Sequence, residues 1–178
     1  SRAATRGARR AWRRWRWRSC HGDYVSLRRP PRPLRHARGS ADSMAQRHKA
    51  REFALQMLFQ WEIGRQDPRR IEEGFWRMAK ADKNVRALAN QLFESTVEGN
   101  VELDALVAEH AKNWRLERMA VIDRAILRLA ACELRAGKTP PKVVLNEAVE
   151  LAKTFSSHEG TAFVNGVLDA LLKGLPKK

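Results

Sequence analysis

Apolar residues along this chain recur at helical rather than strand spacing. Ala50, Ala54, Met57, Leu58 and Trp61 follow i, i+4, i+7, i+8 and i+11, a single stripe down a first helix. Gly64 and the Asp67–Pro68 pair close that helix and open the next. Asp67 suits the N-cap and Pro68 the first helical position, where a missing N–H costs nothing. The pattern predicts a second helix from Arg69 to about Ala79, with Ile71, Phe75, Trp76 and Met78 available for packing. Asp82 caps a third, striped by Val85, Leu88, Ala89, Leu92, Phe93 and Val97, and Gly99–Asn100 stops it.

A fourth helix, from about Val101 to Trp114, carries Leu103, Leu106, Val107 and Ala111. The fifth, from about Glu117 to Arg135, is the most apolar: Met119, Ile122, Ile126, Leu129, Ala130 and Glu133 line one side, and Leu127 and Ala131 broaden it. That breadth places it at the centre of the C-terminal half. Gly137 and Pro140–Pro141 break it, a sixth helix buries Val144, Ala148, Leu151, Ala152 and Phe155, and Gly160–Thr161 opens a seventh with Val164, Val167, Leu168, Leu171 and Leu172. No sustained alternation or hairpin dipeptide signals a strand. Seven helices with short connections make an all-α bundle.

Ahead of Met44 the pattern is lost. Residues 1–43 hold Trp12, Trp15 and Trp17, Pro30, Pro31 and Pro33, and no lasting period, so a disordered leader is the expectation. Three readings stay open: an arginine-rich arm whose tryptophans stack on bases, a targeting peptide, or sequence translated upstream of a true start at Met44. The division expected is therefore 1–43 as leader and 44–178 as the folded domain. It changes the meaning of the net charge of +15: the leader's 13 arginines, less Asp23 and Asp42, supply +11. The remaining 22 basic and 18 acidic residues leave only +4, which calls for a local patch rather than bulk attraction to nucleic acid.

Chemistry is sparse. His21, His36, His48, His110 and His158 show no metal spacing, and neither CxxC, HExxH nor a glycine-rich phosphate loop is present. No enzyme activity, metal or cofactor is expected. Glu109–His110 reads as a solvated helix face, and Glu133 as an ion-paired or end-of-helix carboxylate. Cys20 and Cys132 imply no disulfide framework; Cys132, in LRLAACEL, reads as a buried thiol. No apolar run reaches membrane-spanning length, and a cytoplasmic location is expected.

Arg47, His48, Lys49 and Arg51 crowd the start of the first helix. Cations there oppose the helix dipole, so local stability does not account for them. They fit phosphate, although an ordinary basic helix end is the plainer reading of the residues alone.

Three stretches carry a resemblance: VVLNEAVELAKTFSSHEGTAFVNGVLDALL from Val143 to Leu172, IDRAILR from Ile122 to Arg128, and RHKARE from Arg47 to Glu52. In order and spacing, over roughly Gln46 to Leu172, they resemble the NusB family of transcription antitermination factors. The resemblance implies two sub-bundles, three helices packed on four. It implies that Arg47, His48, Lys49 and Arg51 stand where the family's arginine-rich stretch binds boxA RNA. Here histidine and lysine partly replace arginine and lose its planar fork. Phe163, with Glu159 and Asn165, would join that surface as a stacking group, with Lys153 adding a phosphate contact. Phe59 and Asp123 match the family's interface with ribosomal protein S10, and Asn146 would tie the sixth helix to the seventh. The implied function is antitermination, chiefly in ribosomal RNA operons, with boxA RNA, S10 and the RNA polymerase elongation complex as partners and a homodimer also open. Two alternatives are a non-catalytic helical interaction module and an RNA-binding module related to the front end of ribosomal RNA cytosine methyltransferases. The second is disfavoured because no cofactor-binding domain follows.

Overall fold

The computed structural model describes residues 35–111 and 118–174, with side chains from residue 43 onward. Among the described residues are seven helices: α1 (Arg35–Gly64), α2 (Pro68–Trp76), α3 (Lys83–Glu98), α4 (Asn100–His110), α5 (Val121–Ala136), α6 (Pro141–Phe155) and α7 (His158–Gly174). None of these residues is in a strand. The all-α expectation holds.

Helix boundaries follow local chemistry. Asp67 caps α2, its Oδ1 accepting the N–H groups of Arg69 at 3.0 Å and Arg70 at 3.3 Å, with Pro68 in the first turn. Gly137 ends α5 at φ 65°, the left-handed region glycine tolerates, and its N–H reaches the carbonyls of Glu133 and Leu134. Asp82 occupies the N-cap of α3 but makes no side-chain cap bond.

Several boundaries differ from the sequence reading. α1 runs unbroken through Met44, so residues 35–43, counted in the leader, belong to a helix. No proline falls within Arg35–Gly64 to interrupt it. Residues 1–34 lie outside the described residues. α7 starts at His158, two residues early, because Ser157 Oγ accepts the Gly160 N–H at 3.0 Å and satisfies one of the helix's free donors. α2 stops at Trp76, which leaves Met78 exposed rather than packed. α4 ends at His110 and α5 starts only at Val121, residues 118–120 being outside the α-helix; the expected end residues Trp114 and Glu117 themselves lie outside the described residues.

α5 is the hub. It packs against α1, α3, α4, α6 and α7, and its residues from Ala125 through Leu134 are all buried. α1 packs most extensively on α3, and α6 on α7, giving the three-plus-four arrangement with α5 bridging both groups. Cys132 is buried as expected, and burial pushes its thiol pKa up.

α1 and α5 run antiparallel, and ion pairs fix this. At the middle of α1, Arg51 forks onto Glu133 at the end of α5. Near the end of α1, Glu62 meets Arg124 at 2.9 Å and Arg128 near the start of α5. Arg128 also grips Asp104 of α4 with both arms of its guanidinium, at 2.5 and 2.6 Å. The buried side chains of Arg51, Glu62, Arg128 and Glu133 each have an opposite partner, the condition under which burial is tolerable.

In the α1–α3 unit, Phe53, Phe75 and Trp76 meet edge to face with centroids 4.9–5.6 Å apart. Trp76 Nε1 donates to Asn90 Oδ1 at 2.7 Å, and Asn90 Nδ2 donates to Glu72 Oε2 at 2.7 Å. Burial, reinforced by the neighbouring Glu94 carboxylate, pushes the Glu72 pKa up to about 7.

Candidate nucleic-acid interface

The four basic residues were expected at a helix start, but α1 begins at Arg35, so they lie mid-helix with no free helix N–H groups beside them, and they do not act as one patch. Arg47 is exposed. Lys49 is half-exposed, its Nζ bonded to Glu52 Oε2 at 2.6 Å and lying 4.9 Å from the Phe53 ring centroid. His48 turns inward: Nδ1 sits 2.8 Å from Glu147 Oε2 on α6, and Nε2 3.5 Å from Glu52 Oε1.

Arg51 corrects the sequence reading. Its side chain is 5% exposed, with Nε and Nη2 each 2.8 Å from Glu133 and Nη1 3.6 Å from Glu147. A guanidinium in a bidentate buried pair has no free donors facing solvent for a phosphate. Arg51 therefore positions the basic stretch of α1 on α5 and α6 rather than presenting charge. Glu133 is ion-paired, as the sequence suggested, and Thr139 Oγ1 approaches it at 3.4 Å.

Asp123 is the second correction. It is buried, accepts a short bond from Ser156 Oγ, and lies beside Gly160, where an added Cβ would come within 2.9 Å of both its oxygens. A carboxylate enclosed beneath the start of α7 complements that helix's positive end. It has no face left for a protein partner. Phe59 on α1 is half-buried.

The remaining predicted residues lie on α6 and α7. Lys153 is exposed and bonded to Glu150 at 2.7 Å. Glu159 and Asn165 are exposed, while Phe163 is half-buried against the core. The N–H of Glu159 itself and the Ser157 hydroxyl hold its carboxyl below the usual range. Asn146 is exposed on α6, so it is not buried at an α6–α7 junction as expected.

Two groups thus form at opposite ends of α5. The Arg47–Lys49 stretch is anchored at Glu133, and the α7 start, with Glu159, lies over Asp123. Ten helical residues separate these anchors, about 15 Å, the length of roughly four stacked nucleotides. The acids Glu52, Glu133 and Glu147, which organise the basic stretch, escaped the sequence reading as a set. Only Glu133, a charge on an apolar stripe, gave a signal.

The model of the NusB family matches residues 48–173 of this chain. It belongs to the NusB family. A transcription antitermination protein NusB of Koribacter versatilis is 46% identical over 131 residues, covering 72% of this chain and 90% of the relative. The NusB of Sorangium cellulosum is 44% identical over 133 residues, covering 74% and 95%. Among solved structures, T. maritima NusB superposes with a TM-score of 0.65 at 32% identity, covering 72% of this chain and 91% of that one. The antitermination factors NusB and NusE in complex with double-stranded RNA give 0.68 at 26% identity, covering 74% and 99%. NusB membership accounts for the helical order and the three-plus-four packing. Among the described residues no helix is long and apolar enough to cross a membrane, and no group of three or more His, Cys, Asp or Glu side chains is set to hold a metal.

Proposed function

We propose that this chain is a non-catalytic transcription antitermination factor. It binds boxA-type single-stranded RNA together with ribosomal protein S10 and acts on the RNA polymerase elongation complex, chiefly in ribosomal RNA operons. The observation that carries this reading is its membership of a family whose relatives are transcription antitermination proteins, joined to the complex of NusB and NusE with double-stranded RNA, NusE being S10. The geometry supports an adaptor: two separated weak surfaces on one rigid bundle gain affinity together through effective concentration.

Arg47, Lys49 and Lys153 supply the phosphate contacts, with Phe163 and Asn165 meeting bases. Arg51 and His48 hold α1 in place. With about three contacts to single-stranded RNA, log K should fall against log salt with a slope of roughly −2.

The test is binding of a boxA-type RNA and a scrambled control to the full chain, with and without S10. Selective binding that S10 strengthens, and that Arg47→Glu/Lys49→Glu weakens, is expected. Equal affinity for both RNAs in both conditions would leave a helical interaction module instead.

A further inference from the structure

A groove of about 310 Å³ opens between the middle turns of α1 and the α2–α3 connection, lined by Gln46, Lys49, Phe53, Lys80, Asp82 and Val85 among others. That volume is at the low end for small-ligand sites. Phe53 and Val85 are buried and form an apolar floor. Lys49 and Lys80, exposed and drawn from different elements, stand on its walls, and Gln46 offers both a donor and an acceptor.

We propose that this groove is a nucleotide subsite for single-stranded RNA, holding a phosphate between Lys49 and Lys80 and a base against Phe53. The inference rests on the RNA-binding reading and extends the strand's path beyond Arg47. The Lys49 ammonium now covers the Phe53 ring at 4.9 Å, the position a stacked base would take. A phosphate draws Lys49 off the ring and exposes that face. Glu52, which Lys49 leaves, keeps His48 3.5 Å from its other oxygen. Asp82 is the one carboxylate among the lining residues, and exposed Lys83 and Arg86 follow it, so the local balance is positive. Cations around an aromatic floor match RNA, whose bases stack while its phosphates pair.

The test uses the full chain, a boxA-type RNA carrying 4-thiouridine at successive positions, and salt titrations of wild type, Lys80→Ala, Lys80→Glu and a control, Lys173→Ala. Lys80 and Lys173 are both exposed, so melting curves should be unchanged. Lys80→Ala should flatten the slope of log K against log salt by about 0.7, one single-strand contact, while Lys173→Ala leaves it as it was. Light should cross-link one RNA position to the segment around Lys80–Val85. Selective binding by wild type, with the slope unchanged in both Lys80 variants and no cross-link there, overturns the subsite and leaves the RNA reading standing. Loss of the cross-link to polyglutamate as readily as to unlabelled RNA makes it a general anion site and also overturns it. No RNA binding by wild type sinks both.

Discussion

Arg51 and Arg47 are the same residue type four positions apart, and their environments oppose each other. Truncating Arg51 leaves Glu133 buried and unpaired, so Arg51→Ala should cost about 3–5 kcal/mol in urea unfolding. Arg47→Ala, at an exposed site, should stay within about 0.5 kcal/mol yet weaken RNA binding. The sequence showed both arginines but not this division, because burial depends on which acids the other helices bring alongside. Glu72 behaves differently. Its pKa in the fold, about 7, lies above the ordinary value of 4.5, so the native state holds a proton that the unfolded chain releases. Stability should therefore decline as pH rises from about 4.5 to 7. Glu72→Gln, which keeps an acceptor for Asn90, should flatten that decline and gain about 1 kcal/mol at pH 8 after allowance for solvent screening. Chemical denaturation across pH 5–8 reads both the sign and the size.

At the scale of elements, the signals read best were those carried by one segment alone. Asp67–Pro68 opened α2 and Gly137 closed α5 as their chemistry dictates. Asp67→Ala should cost about 1 kcal/mol by thermal or urea unfolding, the usual worth of a cap. The start of α7 was misread because Gly160–Thr161 looks like an opening, whereas Ser157 caps two residues earlier. Gly160 has another role: it lets α7 approach Asp123 and Ser156. Any side chain there collides with both groups, so Gly160→Ala should destabilise by about 1–3 kcal/mol, the range for overpacking, with Asn165 and the rest of α7 displaced from the RNA surface. No spacing rule in the sequence announces such an approach.

Across the whole molecule, the stripes foretold seven helices and the place of α5 at the centre of the C-terminal half, since apolar periodicity reports burial directly, but not its contacts with α1 and α3. They did not foretell that the candidate RNA residues separate into two groups whose anchors on α5, Glu133 and Asp123, stand about 15 Å apart. That separation predicts a length dependence. RNAs shorter than about four stacked nucleotides should engage one group only, and affinity should step up once both are spanned. Successive truncation from either RNA end, followed by fluorescence anisotropy, locates the step. A smooth decline with no step would mean that one group suffices.

The ion pairs between α1 and α5 also carry a polarity. On α1 the cation, Arg51, precedes the anion, Glu62; on α5 the cations Arg124 and Arg128 precede the anion Glu133. Laid antiparallel, each cation meets an anion. Turned parallel, arginine would face arginine at one end and glutamate would face glutamate at the other, both in a buried seam. Apolar stripes alone tolerate either direction, because leucines and alanines pack without regard to sense. The charges act as a keyed connector that admits one insertion, and the misassembled bundle is rejected by repulsion rather than outcompeted by tighter packing.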